Sequence, residues 1–136
     1  AGYRQYEISN YAKPGRECLH NLGYWRGSDY AGFGPSAVST RGGWRRKNLA
    51  DTEGYTQRVL TGGDRFETLE RLDAETLRFE SLSLGLRTRE GVPSDSFDEG
   101  RLRTLAAHGF VGISDGLVTL TRQGRVVADQ VTTELL

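Results

Sequence analysis

Two short apolar runs, Phe110-Val111-Gly112-Ile113 and Leu117-Val118-Thr119-Leu120, stand on either side of Ser114-Asp115-Gly116. Asp-Gly accepts the positive backbone angles of a tight turn, so this stretch predicts a β-hairpin. The flanking sequence restricts what the hairpin can join. Upstream, Leu72, Leu77, Phe79, Leu82, Leu84 and Leu86 recur at roughly helical spacing after the candidate cap Asp73, predicting a buried helix that runs out near Arg87-Thr88. After a loop carrying Pro93, a second helix is expected from Ser96 or Asp98, with Leu102, Leu105 and Ala106 inward and a stop at Gly109. Beyond Thr121 the chain returns to helix, with Val126, Val127, Val131 and Leu135 on one face. Helix, helix, hairpin, helix is the order of a winged-helix-like module.

The first part of the chain has a different character. It is rich in glycine and aromatic residues up to Gly62-Gly63-Asp64, and rich in leucine and arginine after it, which places a domain boundary there: 1–62 and 63–136. Tyr6 to Tyr11 alternates like a strand, Lys13-Pro14-Gly15 reads as a turn, and Cys18 to Arg26 as a short helix. Tyr30 to Ser39 is strand-like, and Trp44 to Asn48 is expected as an edge strand after the Gly42-Gly43 turn. A helix from about Thr52 to Leu60 follows, capped by Asp51 or Thr52. The chain contains no methionine, and its strand pattern begins almost at residue 1, so a sheet begun upstream is expected.

Several function classes are excluded or weakened by the totals. Eighteen basic and 18 acidic residues balance, leaving no overall field to attract nucleic acid or an anionic membrane. No apolar run approaches the roughly 20 residues that span a bilayer. A single cysteine, Cys18, rules out an internal disulfide framework and fits a reducing, cytoplasmic setting.

The densest group of chemically able side chains is His20-Asn21-Leu22-Gly23-Tyr24-Trp25. A neutral imidazole can ligate a metal, and tyrosine and tryptophan offer flat apolar faces with polar tips, a set that suits a planar macrocycle. On a helix His20 and Tyr24 share a face, while Trp25 lies about 100° round from Tyr24. The same residues also read as core packing and loop hydrogen bonds. Gly32-Phe33-Gly34-Pro35-Ser36-Ala37 would let a ligand approach the backbone, or would end a barrel strand tightly; it lacks the Gly-Lys-Ser/Thr ending of a phosphate loop and the third glycine of a dinucleotide fingerprint. Arg41, Arg45, Arg46 and Lys47 read either as a phosphate contact or as a solvated hairpin face, and His108 as a capping or surface residue.

Taken in order, Tyr6-Glu7-Ile8-Ser9-Asn10-Tyr11-Ala12-Lys13-Pro14-Gly15, Cys18-Leu19-His20-Asn21-Leu22-Gly23-Tyr24-Trp25-Arg26-Gly27 and Asp29-Tyr30-Ala31-Gly32-Phe33-Gly34-Pro35-Ser36-Ala37 resemble the later barrel strands of the oxygen-independent coproporphyrinogen III oxidase-like radical S-adenosylmethionine family. Leu84-Gly85-Leu86-Arg87-Thr88 and Leu120-Thr121-Arg122-Gln123-Gly124-Arg125 resemble its C-terminal domain. The resemblance implies a mixed α/β fold: the last strands of a partial (β/α) barrel, then a small winged-helix-like domain. The His-Asn-x-x-Tyr-Trp pattern points to the heme-chaperone branch rather than to the decarboxylating oxidase. That branch implies heme as cargo, a heme-acceptor protein as partner, and a 4Fe-4S cluster with S-adenosylmethionine in the whole protein. Carried over, His20, Asn21, Tyr24 and Trp25 would contact heme, His20 as axial ligand, and Gly34, Ala37 and Val38 would lie near S-adenosylmethionine. The family's Cys-x-x-x-Cys-x-x-Cys site is absent and Cys18 cannot replace three thiolates, so this stretch alone is expected to be redox-inactive. Pro35 also stands where relatives have a smaller residue.

Barrel strands without their neighbours expose an edge, so residues up to about Asn48 are expected to be rearranged, paired with a second copy or held by the second domain. A winged-helix module that binds DNA or protein is the rival reading. For DNA, the helix from Asp98 to His108 offers only Arg101 and Arg103 and opens with Asp98 and Glu99, which favours a protein-docking role and no nucleic acid.

Overall fold

In the computed structural model, which describes residues 1–136, the chain opens with β1 (Arg4–Gln5), β2 (Tyr11–Ala12) and α1 (Leu19–Trp25). It continues through β3 (Val38–Arg41), β4 (Trp44–Asn48), α2 (Thr52–Thr61), β5 (Phe66–Arg71) and α3 (Ala74–Gly85). The remainder is β6 (Val92–Pro93), a 3-10 turn at Ser94–Ser96, α4 (Glu99–Ala107), β7 (Val111–Ser114), β8 (Leu117–Leu120), α5 (Arg122–Val126) and α6 (Ala128–Leu135). Contacts group Ala1–Gly27 with Arg78–Leu136 in one compact unit and Ser28–Leu77 in another.

The first unit is built on the expected hairpin. Val111 pairs with Leu120 and Ser114 with Leu117, and Asp115 and Gly116 turn with φ of 53° and 75°. Val92–Pro93, expected as loop, pairs with β8, giving the order β6-β8-β7; proline is tolerated because β6 lies at the sheet edge. Asp98 caps α4 by accepting the Arg101 amide at 2.9 Å. Leu86, Val92, Leu102, Leu105, Val111, Val118, Leu120, Val131 and Leu135 close one core over this sheet. Full burial stabilises each such side chain by roughly 1.5–3 kcal/mol. Gly124 belongs to this packing: a Cβ there would lie 1.9 Å from the Phe110 carbonyl oxygen, so only glycine lets α5 approach the hairpin.

Three further sequence expectations are corrected. Val126 does not share the inward face with Val131 and Leu135; it is 83% exposed, because the backbone breaks at Val127 (φ −121°, ψ 35°) and α6 starts in a new direction. The helix holding Leu77, Phe79, Leu82 and Leu84 is not buried, and Leu77 and Phe79 are exposed. Residues two apart lie about 200° apart on a helix, so this leucine series cannot occupy one face. The strand expected over Tyr6–Tyr11 is instead a small hairpin in which Arg4 pairs with Ala12 and Gln5 with Tyr11. Its bend is closed by Tyr6 N–H donating to Asn10 O at 3.1 Å, and the Glu7 carboxylate, 2% exposed, accepts the Ser9 amide at 3.1 Å. A local side-chain acceptor reverses the chain where alternation alone suggested extension.

The second unit is an antiparallel sheet in the order β3-β4-β5 with α2 beside it in sequence. Trp44–Asn48, expected at an edge, is the central strand, because Phe66–Arg71 forms an unforeseen partner: Trp44 pairs with Arg71 and Lys47 with Thr68. The strand-like stretch Tyr30–Ser39 reduces to one bridge from Tyr30 to Thr40 before β3 begins, consistent with Gly32, Gly34 and Pro35 interrupting extension. Asp51 caps α2 through the Gly54 amide at 2.6 Å. The compositional change at Gly62–Gly63 falls inside this unit, in the connection between α2 and β5, since β5 is tied along its length to β4.

Candidate functional site

Helix α1 follows from one apolar anchor and two polar ties. Leu22 is buried against Tyr6 and Ala12, which fixes one side of the helix to the hairpin β1-β2. The flanks are held to a single loop of the same unit. Arg89 pairs with Glu17 at 2.9 Å, one residue before Cys18, and the Arg26 guanidinium pairs with Glu90 just beyond Trp25. Hydrogen bonding from Arg26 is the main cause that holds the Glu90 carboxyl below the usual carboxylate range, and the same bond raises the Arg26 pKa. Glu17 also sits low, first through hydrogen bonding to its own backbone amide and then through the charge of Arg89.

With Leu22 inward, the helix turns one i, i+4 row away from the anchor and leaves a second on the flank beside it. His20 and Tyr24 make the first: both are exposed, and their rings meet edge to face with centroids 4.7 Å apart at 79°. Asn21 and Trp25 make the second and are half-buried. Leu19, at the start of the helix, is also exposed. An open imidazole flanked by a phenol ring and exposed apolar surface can ligate a metal at the centre of a flat ligand and cover part of its face. Cys18 is exposed and makes no side-chain cap to α1. No group of three or more His, Cys, Asp or Glu side chains is arranged to hold a metal ion.

The glycine segment is positioned by internal hydrogen bonds. Gly32 N–H donates to Ser39 Oγ at 2.9 Å, and a Cβ on Gly32 would lie 2.2 Å from the Val38 carbonyl oxygen. Gly34 N–H donates to the Tyr55 hydroxyl at 3.2 Å, and its carbonyl accepts the buried Asn48 amide at 2.9 Å. Ala37 O accepts the Asn48 N–H at 2.9 Å, and Val38 is paired with Lys47 in the sheet. Gly34, Ala37 and Val38 thus share one segment whose polar backbone groups are largely engaged within the fold. His20, Asn21, Tyr24 and Trp25 belong to one compact unit and this trio to the other.

The remaining candidates have ordinary structural roles. His108 ends α4, with Nδ1–H donating to the Thr104 carbonyl at 2.7 Å. Arg103 pairs with Glu99 at 2.6 Å, and Arg101 donates to the Glu134 carbonyl at 3.2 Å, so the cations of α4 are occupied locally. The ties from Arg89 and Glu90 to the flanks of α1 were not read from the sequence; the only signal was a run of alternating charge after Thr88, more than 60 residues from its partners.

No protein-family model matches the chain. It is similar to the heme chaperone HemW of Mycobacterium tuberculosis (strain ATCC 25618 / H37Rv), 35% identical over 140 residues, covering 100% of this chain and 36% of that protein. It is also similar to the heme chaperone HemW of Bacillus subtilis (strain 168), 36% identical, covering 96% of this chain and 37% of that protein. A mitochondrial radical S-adenosyl methionine domain-containing protein 1 from Mus musculus is 31% identical over 95% of this chain and 31% of its own length. The chain therefore spans about a third of the length of the curated relatives it matches. Among solved structures, the radical SAM coproporphyrinogen III oxidase HemN from Escherichia coli superposes with a TM-score of 0.72 over 98% of this chain and 37% of that one, at 18% identity, a likeness of fold.

Proposed function

We propose, because this chain belongs to the radical SAM HemW/HemN-like family and is homologous to the C-terminal part of HemW, that it is the heme-contacting portion of a heme chaperone. The observation that carries the reading is the outward row of His20 and Tyr24 on α1, with Trp25 beside it. In this reading heme is cargo: His20 supplies an axial nitrogen, Tyr24 and Trp25 cover the ring, Asn21 orients the contact, and a heme-acceptor protein receives it. Residues up to about 62 complete the barrel of the whole protein, with Gly34, Ala37 and Val38 near its S-adenosylmethionine. The rest, 63–136, forms the C-terminal domain of the family. A cytoplasmic setting and self-pairing belong to the same proposal. The family also implies a 4Fe-4S cluster. One exposed thiol, Cys18, does not fit a cluster that needs three thiolates.

The test is a hemin titration of this chain beside its His20→Ala variant, followed by the Soret shift at equal protein concentration. Saturable binding that disappears in the variant is the expected result. Equal binding in both proteins would exclude His20 as the ligand and remove the basis of the reading.

A further inference from the structure

Within the unit Ser28–Leu77 lies a hollow of about 410 Å³, in the range of small-molecule sites. Arg41, Arg46 and Arg65 line it together with Trp44 and Phe66, and Phe33 stands at its border 88% exposed. None of the three arginines makes an ion pair, whereas Arg45 pairs with Glu70 and Lys47 with Glu67 on the same strands. The Arg46 and Arg65 guanidiniums lie 5.3 and 5.1 Å from the centroid of the same Phe66 ring. Two like charges gathered at one ring, beside a third in the same hollow, repel one another unless an anion joins them. Each fork is free to take an oxyanion in a bidentate grip, and the aromatic walls favour a flat body. We infer that this hollow binds a small flat ligand bearing an oxyanion, either a carboxylate or a phosphate monoester, gripped by Arg46 and Arg65 and stacked beside Trp44 and Phe66.

The site is distinct from α1 and uses no iron, so it stands or falls separately from the heme reading. Isothermal titration of this chain with AMP and, separately, with naphthalene-2,6-dicarboxylate tests it and separates the two anion sources. Binding of either probe, weakened about tenfold or more in an Arg46→Gln/Arg65→Gln variant and unchanged in Arg101→Gln, is the expected result, since losing a charge-assisted bidentate contact is worth at least that factor. An Arg46→Lys/Arg65→Lys variant keeps the charge but loses the fork, and should bind with intermediate affinity. All three variants alter exposed side chains, and an unchanged thermal melt confirms that each is folded. The inference is overturned if neither probe binds the parent chain, or if the glutamine pair binds as tightly as the parent.

Discussion

The hairpin module around β7-β8 and the helix α1 share one compact unit but are held by different forces. The module closes a core of ten buried apolar residues, whereas α1 is anchored by a cluster of three, Tyr6, Ala12 and Leu22, and by ion pairs at its two ends. Apolar burial carries no charge for pH to titrate or for ions to screen, while exposed ion pairs contribute little and can be switched off. The difference teaches where function can be placed. A surface that must present an unsatisfied imidazole needs only enough packing to hold its orientation, and the adjoining core supplies the stability that α1 lacks.

The largest effects should come from the core. Gly124→Ala would drive a Cβ into the Phe110 carbonyl, and Leu86→Ala would leave a cavity where exposure is 1%. Each should cost on the order of 2–5 kcal/mol in urea unfolding, as buried leucine truncations do. A loss below about 1 kcal/mol for both would mean that the module is not the stable half of the comparison. Leu22→Ala should be gentler on global stability, about 2 kcal/mol, yet should abolish heme binding by releasing α1. If the fold is lost as completely as in Leu86→Ala, the two regions form a single core and the contrast fails.

Much of this contrast was legible in the sequence, and the failures have physical causes. The Asp115-Gly116 turn, the caps Asp51, Asp73 and Asp98, and the inward Leu102 and Leu105 follow from local rules, and the structure contains all of them. The pairing of Phe66–Arg71 with β4 was hidden because Phe-Glu-Thr-Leu-Glu-Arg is mostly solvent-facing and carries no apolar alternation. Glu7 looked like a strand residue, but its carboxylate turns back to Ser9, a preference that hydropathy does not encode. On the candidate site, the i, i+4 relation of His20 and Tyr24 was readable from spacing alone. The clamps from Arg89 and Glu90 were not, since they join residues 72 and 64 apart in sequence.

Smaller effects probe those clamps. Glu90 and Glu17 have lowered pKa values in the fold, so each is charged more readily when folded than when unfolded. Their contribution is therefore present above the ordinary glutamate pKa of about 4.3 and is lost as pH falls through the lower folded value. Lowering pH from about 5 toward 3 should loosen α1 before the hairpin module unfolds, seen as loss of Trp25 fluorescence anisotropy ahead of the main transition. Coincident transitions would assign the low-pH loss to the whole unit. Smallest of all, Arg26→Ala should leave global stability nearly unchanged, as expected for an exposed pair, and the effect should shrink further at high salt. A larger cost would show that the clamp is part of the core.

Hydrogen exchange with and without hemin tests the central claim most directly. The account predicts weak amide protection over Leu19–Trp25 in the free chain, strong protection over Val111–Leu120, and a hemin-induced gain confined to α1 and its flanks. Equal protection in both regions of the free chain, or a hemin-induced gain that leaves α1 unchanged, would contradict it.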